Sequence, residues 1–411
     1  MAKNRSGNPA VRAGATVKKN PDARAVLIAS NSPWSMTGYG QQTAQLARHL
    51  RDDGHKVAFA SNYGLEATVS SWEGMKMYPR GYELHSNDVI PAYLQAWAHD
   101  NIGIPPLLIT LYDVHVFKGE HWNTVPQIAS WVPVDHFPVP PAVTEFLQRD
   151  NVTPIAMSQF GEQMLTDAGL DCLYVPHGID RSVFKPTATF EGVDGRPTTG
   201  REFMGIDRDK FVVTMVSANK GVVPNRKSFP EAFLAFGMFA QQYPDAVLYC
   251  HTEHKGGMGG LDLIRMAKMC GIKREQIVFP DPFVWRMGIP NEVMAAIYSD
   301  SNVLLQPSMG EGFGIPLVEG QACGLRGIVS NATAQPELLG DGWLVDGQPW
   351  WDAMQNAWLW APKVESILGS LVEAYEAPRE HSVKAMEFAA QYDADFVYDQ
   401  YWKPALKVLA P

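Results

Sequence analysis

The apolar positions of this 411-residue chain fall into short continuous runs, separated by stretches of helical period. Ala25-Val26-Leu27-Ile28-Ala29 is the first run and Val57-Ala58-Phe59-Ala60, entered through Lys56, is the second. Between them Leu46, Ala47 and Leu50 share one face of a segment predicted helical over 41–52, which Gly54 ends. Strand, helix and strand in that order predict a parallel βαβ unit. The alternation continues with strands predicted at 107–112, 128–134, 155–158 and 173–175 and a helix at 160–168. A second series of strands is predicted at 211–216, 247–251, 276–279, 301–305 and 327–330. Its helices fall at 230–242, 261–270, 291–299 and 364–375. Residues 185–207 separate the two series; they are rich in Pro, Thr and Gly and show little periodicity. The pattern therefore predicts two Rossmann-like α/β domains, 24–184 and 208–385, joined by a linker at 185–207. A last helical stretch, 386–411, carries Phe388, Phe396, Tyr401 and Trp402. A chain of this length suits two cores better than one.

Composition narrows the class. An apolar fraction of 46% describes an ordinary soluble globular protein. A net charge of −10 argues against nucleic acid as a partner, because such proteins usually show a basic face. No apolar run has transmembrane length, and the first residues lack the apolar segment of a secretory leader, so a cytoplasmic location is expected. Cys172, Cys250, Cys270 and Cys323 are scattered with no C-x-x-C pair, which reads as reduced thiols rather than a zinc site. Residues 1–23 carry Lys3, Arg5, Arg12, Lys18 and Lys19 against Asp22 alone and read as a disordered basic arm.

The candidate chemistry centres on Gln306-Pro-Ser-Met-Gly310-Glu311-Gly312-Phe313-Gly314-Ile315-Pro316-Leu-Val-Glu319. A strand runs into a Gly-rich turn, and Pro316 opens a helix that stops near Gly324. Bare amide N–H groups and the helix dipole make such a turn an anion site. Glu311 and Glu319 flank it, eight residues apart. Arg226 and Lys227 end another strand-to-helix loop, the first a fork and the second a point charge suited to a diphosphate. His251 ends a strand on the same side. In the first domain Gly38-Tyr39-Gly40 precedes the first helix. It lacks the third glycine and the acidic residue of a nicotinamide fingerprint, Ser61-Asn62 standing where the acid belongs. Asp113 and His115 follow one predicted strand, and Asp135 and His136 another, at the end where doubly wound sheets bind ligands. Neither pair has a third metal ligand, so a metal is not expected. Gly178, in Pro176-His177-Gly178-Ile179-Asp180, reads as a turn glycine needing φ > 0. The Trp-rich stretch 343–360 reads as core or interdomain packing rather than a sugar-stacking surface.

Ser-x-x-Glu-Gly-Phe-Gly-x-Pro-x-x-Glu resembles the Glu-x7-Glu signature of the retaining glycosyltransferases of family 4, and the resemblance extends over roughly 25–400. Val175-Pro176-His177-Gly178-Ile179-Asp180 and Ala334-Gln335-Pro336-Glu337 are also similar to that family. The resemblance implies a GT-B fold, with the last helix crossing back to the first domain. It implies transfer of a sugar from a nucleoside-diphosphate sugar to an acceptor with retention of configuration, without a metal or other cofactor. The first Glu, Glu311, would then contact the donor sugar and Glu319 the ribose. Arg226 and Lys227 would hold the phosphates, with Gly312 to Ile315 beside them. Ala218-Asn219 stands where many members have Gly-Arg, and Asn219 is a donor-side candidate with His251 and the Gly38–Gly40 loop. Asp135 and His136 would position sugar or acceptor, and Asp113 and His115 would lie on the acceptor side. The acceptor, whether protein, glycan, lipid or small molecule, is left open. A nucleotide-sugar epimerase and a non-catalytic nucleotide-sugar-binding protein are the alternatives on this scaffold.

Overall fold

A computed structural model describes residues 20–62 and 68–410. The basic residues expected in a disordered arm, from Lys3 to Lys19, lie outside the described residues. Eight strands build the first sheet: β1 (Ala25–Ser30), β2 (Lys56–Ser61), β3 (Ser70–Trp72), β4 (Met75–Tyr78), β5 (Pro106–Leu111), β6 (Ile128–Val132), β7 (Val152–Ala156) and β8 (Leu173–Tyr174). Their order is β3-β4-β2-β1-β5-β6-β7-β8, and every pair except β3 with β4 is parallel. All residues of β1 and β6 are buried, which is why these strands read as unbroken apolar runs: helices cover both faces.

Residues 185–207 are more than a linker. β9 (Phe190–Glu191) and β10 (Pro197–Thr198) pair antiparallel, and a helix, Gly200–Met204, follows under a Thr199/Glu202 capping box. Arg201 ties this segment to the second domain, its Nε donating to Asp300 O at 2.7 Å and its Nη1 to Lys210 O at 3.0 Å. Pro, Thr and Gly here serve turns and caps, which carry no periodicity to read.

The second sheet contains β11 (Phe211–Val216), β12 (Ala246–His251), β13 (Ile277–Val278), β14 (Val303–Gln306), β15 (Arg326–Ser330) and β16 (Gly342–Val345). It is parallel throughout, in the order β13-β12-β11-β14-β15-β16. Strand order reverses between β11 and β14, and ligands of doubly wound sheets bind beyond the strand ends at such a point. The loops there are 217–228 and 307–314, which carry the cation pair and the Gly-rich turn.

A hairpin follows, β17 (Gly347–Asp352) with β18 (Ala357–Pro362). The packing expected of the Trp-rich stretch holds for one face only. Ala357 and Leu359 are fully buried, whereas Trp351 and Trp358, paired across the strands on the other face, are 44% and 39% exposed. The chain then returns to the first domain. Trp402 meets Trp131 edge-on at 4.9 Å, and the Tyr398 hydroxyl donates to Asp53 at 3.0 Å. Gly178 does not have the positive φ expected of it. Space demands it instead, because a Cβ there would stand 2.8 Å from Ala394 Cα in the returning segment. One buried apolar cluster runs from Val26 and Ile109 through Phe313 and Leu317 to Trp402, so the two domains share a core. Among the described residues no helix is long and apolar enough to cross a membrane.

Candidate active site

Two helix N-termini, one from each domain, meet at the cleft. The helix Gly38–Asp52 starts three residues earlier than its sequence period suggested, so Gly38 to Gly40 form its first turn rather than a loop before it. A Cβ on Gly38 would lie 3.0 Å from Ile315 Cδ1, at the first turn of the facing helix Ile315–Ala322. Gly314, at φ 119°, caps that second helix with no side-chain hydrogen bond. Partial positive charge from both helix ends therefore converges here.

Gly310 and Gly312 make the close approach of the domains. A Cβ on Gly310 would fall 2.1 Å from Asp135 O, and one on Gly312 2.5 Å from Pro133 Cβ. The Gly-rich turn thus lies directly on the end of β6, and its glycines serve the domain contact as well as any ligand. Phe313, 3% exposed, packs its ring against His177, which also touches Trp131. Burial pushes the His177 pKa down to about 3, so this imidazole is a neutral packing element between the domains.

Charged groups from both domains are interlocked across this contact. Arg226 Nη1 stands 3.0 Å from Asp135 Oδ2 and 3.5 Å from Glu311 Oε2, and it also donates to Gly310 O. Lys227 Nζ donates to Glu311 Oε1. Burial disfavours ionisation of Asp135, but Arg226 and then His136 and Lys227 outweigh it and hold the carboxyl well below its usual range. Lys227 and Arg226 act likewise on Glu311, whose pKa is lowered despite burial. The Arg226 side chain keeps 35% of its surface accessible, so this cation is open to a ligand.

His136 Nδ1 lies 2.6 Å from Asp135 Oδ1, and Nε2 lies 3.3 Å from Asp352 Oδ2. Burial alone would lower its pKa; Asp135, and after it Asp352, more than compensate and raise it. Asp113 stands on the same side of the cleft, exposed and 3.4 Å from the Tyr39 hydroxyl. His115, two residues on, is half-buried beside it.

On the donor side Glu319 is 5% exposed and accepts from the Tyr298 hydroxyl at 3.0 Å. Burial raises its pKa to about 7. His251 lies at the end of β12 with Nδ1 3.2 Å from the Tyr249 hydroxyl, and burial lowers its pKa to about 4, leaving it neutral. Asn219 departs from its expected role. Its amide nitrogen donates to Glu253 O and Leu261 O, and its oxygen accepts from Leu261 N. Both amide protons are consumed in pinning the loop 253–261, so the side chain is a latch rather than a free phosphate contact.

The structure thus brings Gly38, Tyr39, Asp113, Asp135, His136, Arg226, Lys227 and Glu311 to one cleft, with Gly312 to Ile315 forming its floor. Sequence reading missed Tyr298 and Asp352, and it named Glu337 within a matching string without giving it a role. Glu337 reaches across the domains: its carboxylate oxygens accept from Gln159 N and Phe160 N, each at 2.8 Å, at the start of helix Gln159–Asp167. Its place in the Ala334–Glu337 string was the available signal; Asp352 had none.

Two βα domains facing each other across this cleft make a GT-B fold. The chain matches the family model described as glycosyl transferases group 1 over residues 264–363. It is 29% identical over 154 residues to the serotype-specific mannosyltransferase WbdA of Escherichia coli. That match covers 36% of this chain and 16% of WbdA, so the chain spans about a sixth of that relative's length. Sucrose-phosphate synthase from Thermosynechococcus elongatus superposes with a TM-score of 0.69 at 17% identity, over 94% of this chain and 98% of that one. Anabaena HepE, solved with UDP and glucose, superposes with a TM-score of 0.64 at 13% identity, over 93% and 99%.

Proposed function

We propose that this protein transfers a hexose from a nucleoside-diphosphate sugar to an acceptor hydroxyl with retention of configuration. The observation that carries the reading is the arrangement of Arg226, Lys227 and Glu311 at two converging helix N-termini, with Glu319 buried one helix turn and more beyond. The diphosphate sits between Arg226, Lys227 and the N-terminus at Gly314 and Ile315, which stabilise the negative charge that builds as the anomeric carbon–oxygen bond breaks. The acceptor oxygen bonds to the anomeric carbon from the face the diphosphate leaves. Its proton passes to a phosphate oxygen of the departing nucleotide, so no protein base is consumed. Protein cations and helix termini supply the charge compensation, and the reaction is proposed to need no added metal. Glu311, already bound to both cations, orients the sugar hydroxyls, and Glu319 accepts from the ribose. HepE's complex with UDP and glucose and the mannosyltransferase relatives support the donor class. The comparisons favour neither an epimerase nor a silent binding protein. Four unpaired cysteines support a reducing, cytoplasmic location.

The test is a thermal-shift screen against UDP-, GDP-, ADP- and dTDP-sugars, in EDTA and in magnesium, repeated with Glu319→Ala. A ligand at 100 times its Kd should add about 2.7 kcal/mol. One sugar nucleotide that stabilises the wild type in EDTA, and loses its effect in the variant, supports the reading. No stabilisation by any of them sinks it.

A further inference from the structure

The hairpin β17–β18 belongs to the second domain but is stitched to the first. Phe137 N donates to Trp358 O at 3.0 Å, and Trp358 N donates back to Phe137 O at 2.9 Å. Trp360 N donates to Met309 O at 2.8 Å, in the Gly-rich turn. The ribbon therefore touches the end of β6 and the candidate active site together. Asp352, at its tip and 5% exposed, is aimed at the residue beside Phe137. One of its oxygens is fixed by Met354 N at 2.9 Å, and the other faces His136 Nε2 at 3.3 Å.

Both nitrogens of His136 face carboxylate oxygens. A carboxylate only accepts, so the two contacts are complete only when the ring carries both protons. His136 is then a fixed cation between Asp352 and Asp135, and it is not available to take a proton from an acceptor. Asp135 spends one oxygen on His136 and turns the other to Arg226. The groups facing this ring are Asp135 from its own loop and Asp352 from the hairpin. Arg226, Lys227 and Glu311 stand behind Asp135.

We propose that Asp352 is a positioning residue for the transfer reaction. It clamps His136 Nε2 and, through the ring, holds Asp135 in the orientation that meets Arg226 over the leaving diphosphate. The inference rests on the reading of this cleft as a glycosyl-transfer site, while the clamp itself can be read without turnover. It also gives the Trp-rich ribbon a purpose that its composition concealed, which is to deliver one carboxylate across the domain boundary.

Asp352→Asn is the variant of choice, because Oδ1 can still accept from Met354 N while the charge on His136 is lost. Imidazole NMR should show His136 of the wild type holding both protons to higher pH than in the variant; identical titrations overturn the clamp. In steady-state assays kcat should fall about tenfold with the donor KM little changed. The decisive arm adds Asp352→Asn to His136→Gln. A residue acting through His136 costs little more in that background, whereas a merely structural residue costs the same again. Additive losses, or unchanged kcat in the single variant, overturn the proposal. If the wild type binds no sugar nucleotide the functional reading falls, and the NMR titration still decides whether Asp352 clamps the ring.

Discussion

Glu319 accepts a hydrogen bond from the Tyr298 hydroxyl at 3.0 Å, in a position where both side chains are buried. Burial lifts the carboxyl to about 7, and the Tyr298 bond works against that rise. An ionised carboxylate accepts from both hydroxyls of a ribose diol, and more strongly than a carboxylic acid, one of whose oxygens carries a proton, so nucleotide affinity should rise with pH through 7. If only the ionised form binds, the gain from pH 6 to pH 8 is about tenfold. The ligand-free fold has the opposite dependence. A carboxyl whose folded pKa is raised stabilises fully below its unfolded value and loses that contribution as pH rises through 7. Calorimetric titration of the matching nucleotide across this window checks the first trend, and melting of Glu319→Gln beside the wild type checks the second. Tyr298→Phe should move the binding transition to higher pH.

Arg226 is the hub of the cleft. Its guanidinium meets Asp135, Glu311 and Gly310 O through one nitrogen, Nη1, and a Lys engaged with the same partners has no further nitrogens to offer a diphosphate. Arg226→Ala should lower kcat by ~10²–10³, the usual loss on removing one preorganised donor at a developing charge. Arg226→Lys should recover only a small part. Steady-state kinetics at saturating donor distinguish these outcomes from a simple loss of affinity.

The Gly-rich turn gives a third test. A methyl on Gly312 would lie 2.5 Å from Pro133 Cβ and 2.8 Å from Pro133 Cα, and the latter atom belongs to backbone that cannot swing aside. Gly312→Ala should cost ~1–3 kcal/mol of overpacking strain. It should also part the domains, lowering kcat and enlarging the radius of gyration in small-angle scattering. Gly259→Ala, with open space around it but φ at +79°, controls for backbone strain alone.

Much of this architecture was legible because parallel sheets buried on both faces write themselves as apolar runs. β1, β11 and the helix Asn291–Ser299 fall where the period put them. Glu311, Glu319, Arg226 and Lys227 were legible because the strand–turn–helix frame around them is local in sequence. What escaped notice depends on distant segments. Asp352 acquires meaning only when a hairpin lands on Phe137, and Gly178 only when Ala394 arrives from the far end of the chain. The amide of Asn219 gave no hint that a loop 34 to 42 residues away would consume it. The ribbon β17–β18 was hidden because four tryptophans across two strands obscure the alternation that marks a half-buried hairpin.

Glu337 supplies the last prediction. Ser158 caps the helix Gln159–Asp167 from within the first domain, accepting from Gly161 N at 3.0 Å. The two preceding N–H groups, on Gln159 and Phe160, would be left without an acceptor there, and Glu337 of the second domain takes both. An intradomain need is thus met by an interdomain residue, which couples helix stability to domain contact. Glu337→Ala should cost ~1 kcal/mol, in the range of a lost cap. Exchange of the Gln159 and Phe160 amides should quicken while that of the Gly161 amide, still held by Ser158, changes little. Hydrogen exchange resolved to single amides reads this directly. Equal acceleration at all three would mean that the whole helix start has frayed and that Glu337 is no selective clasp.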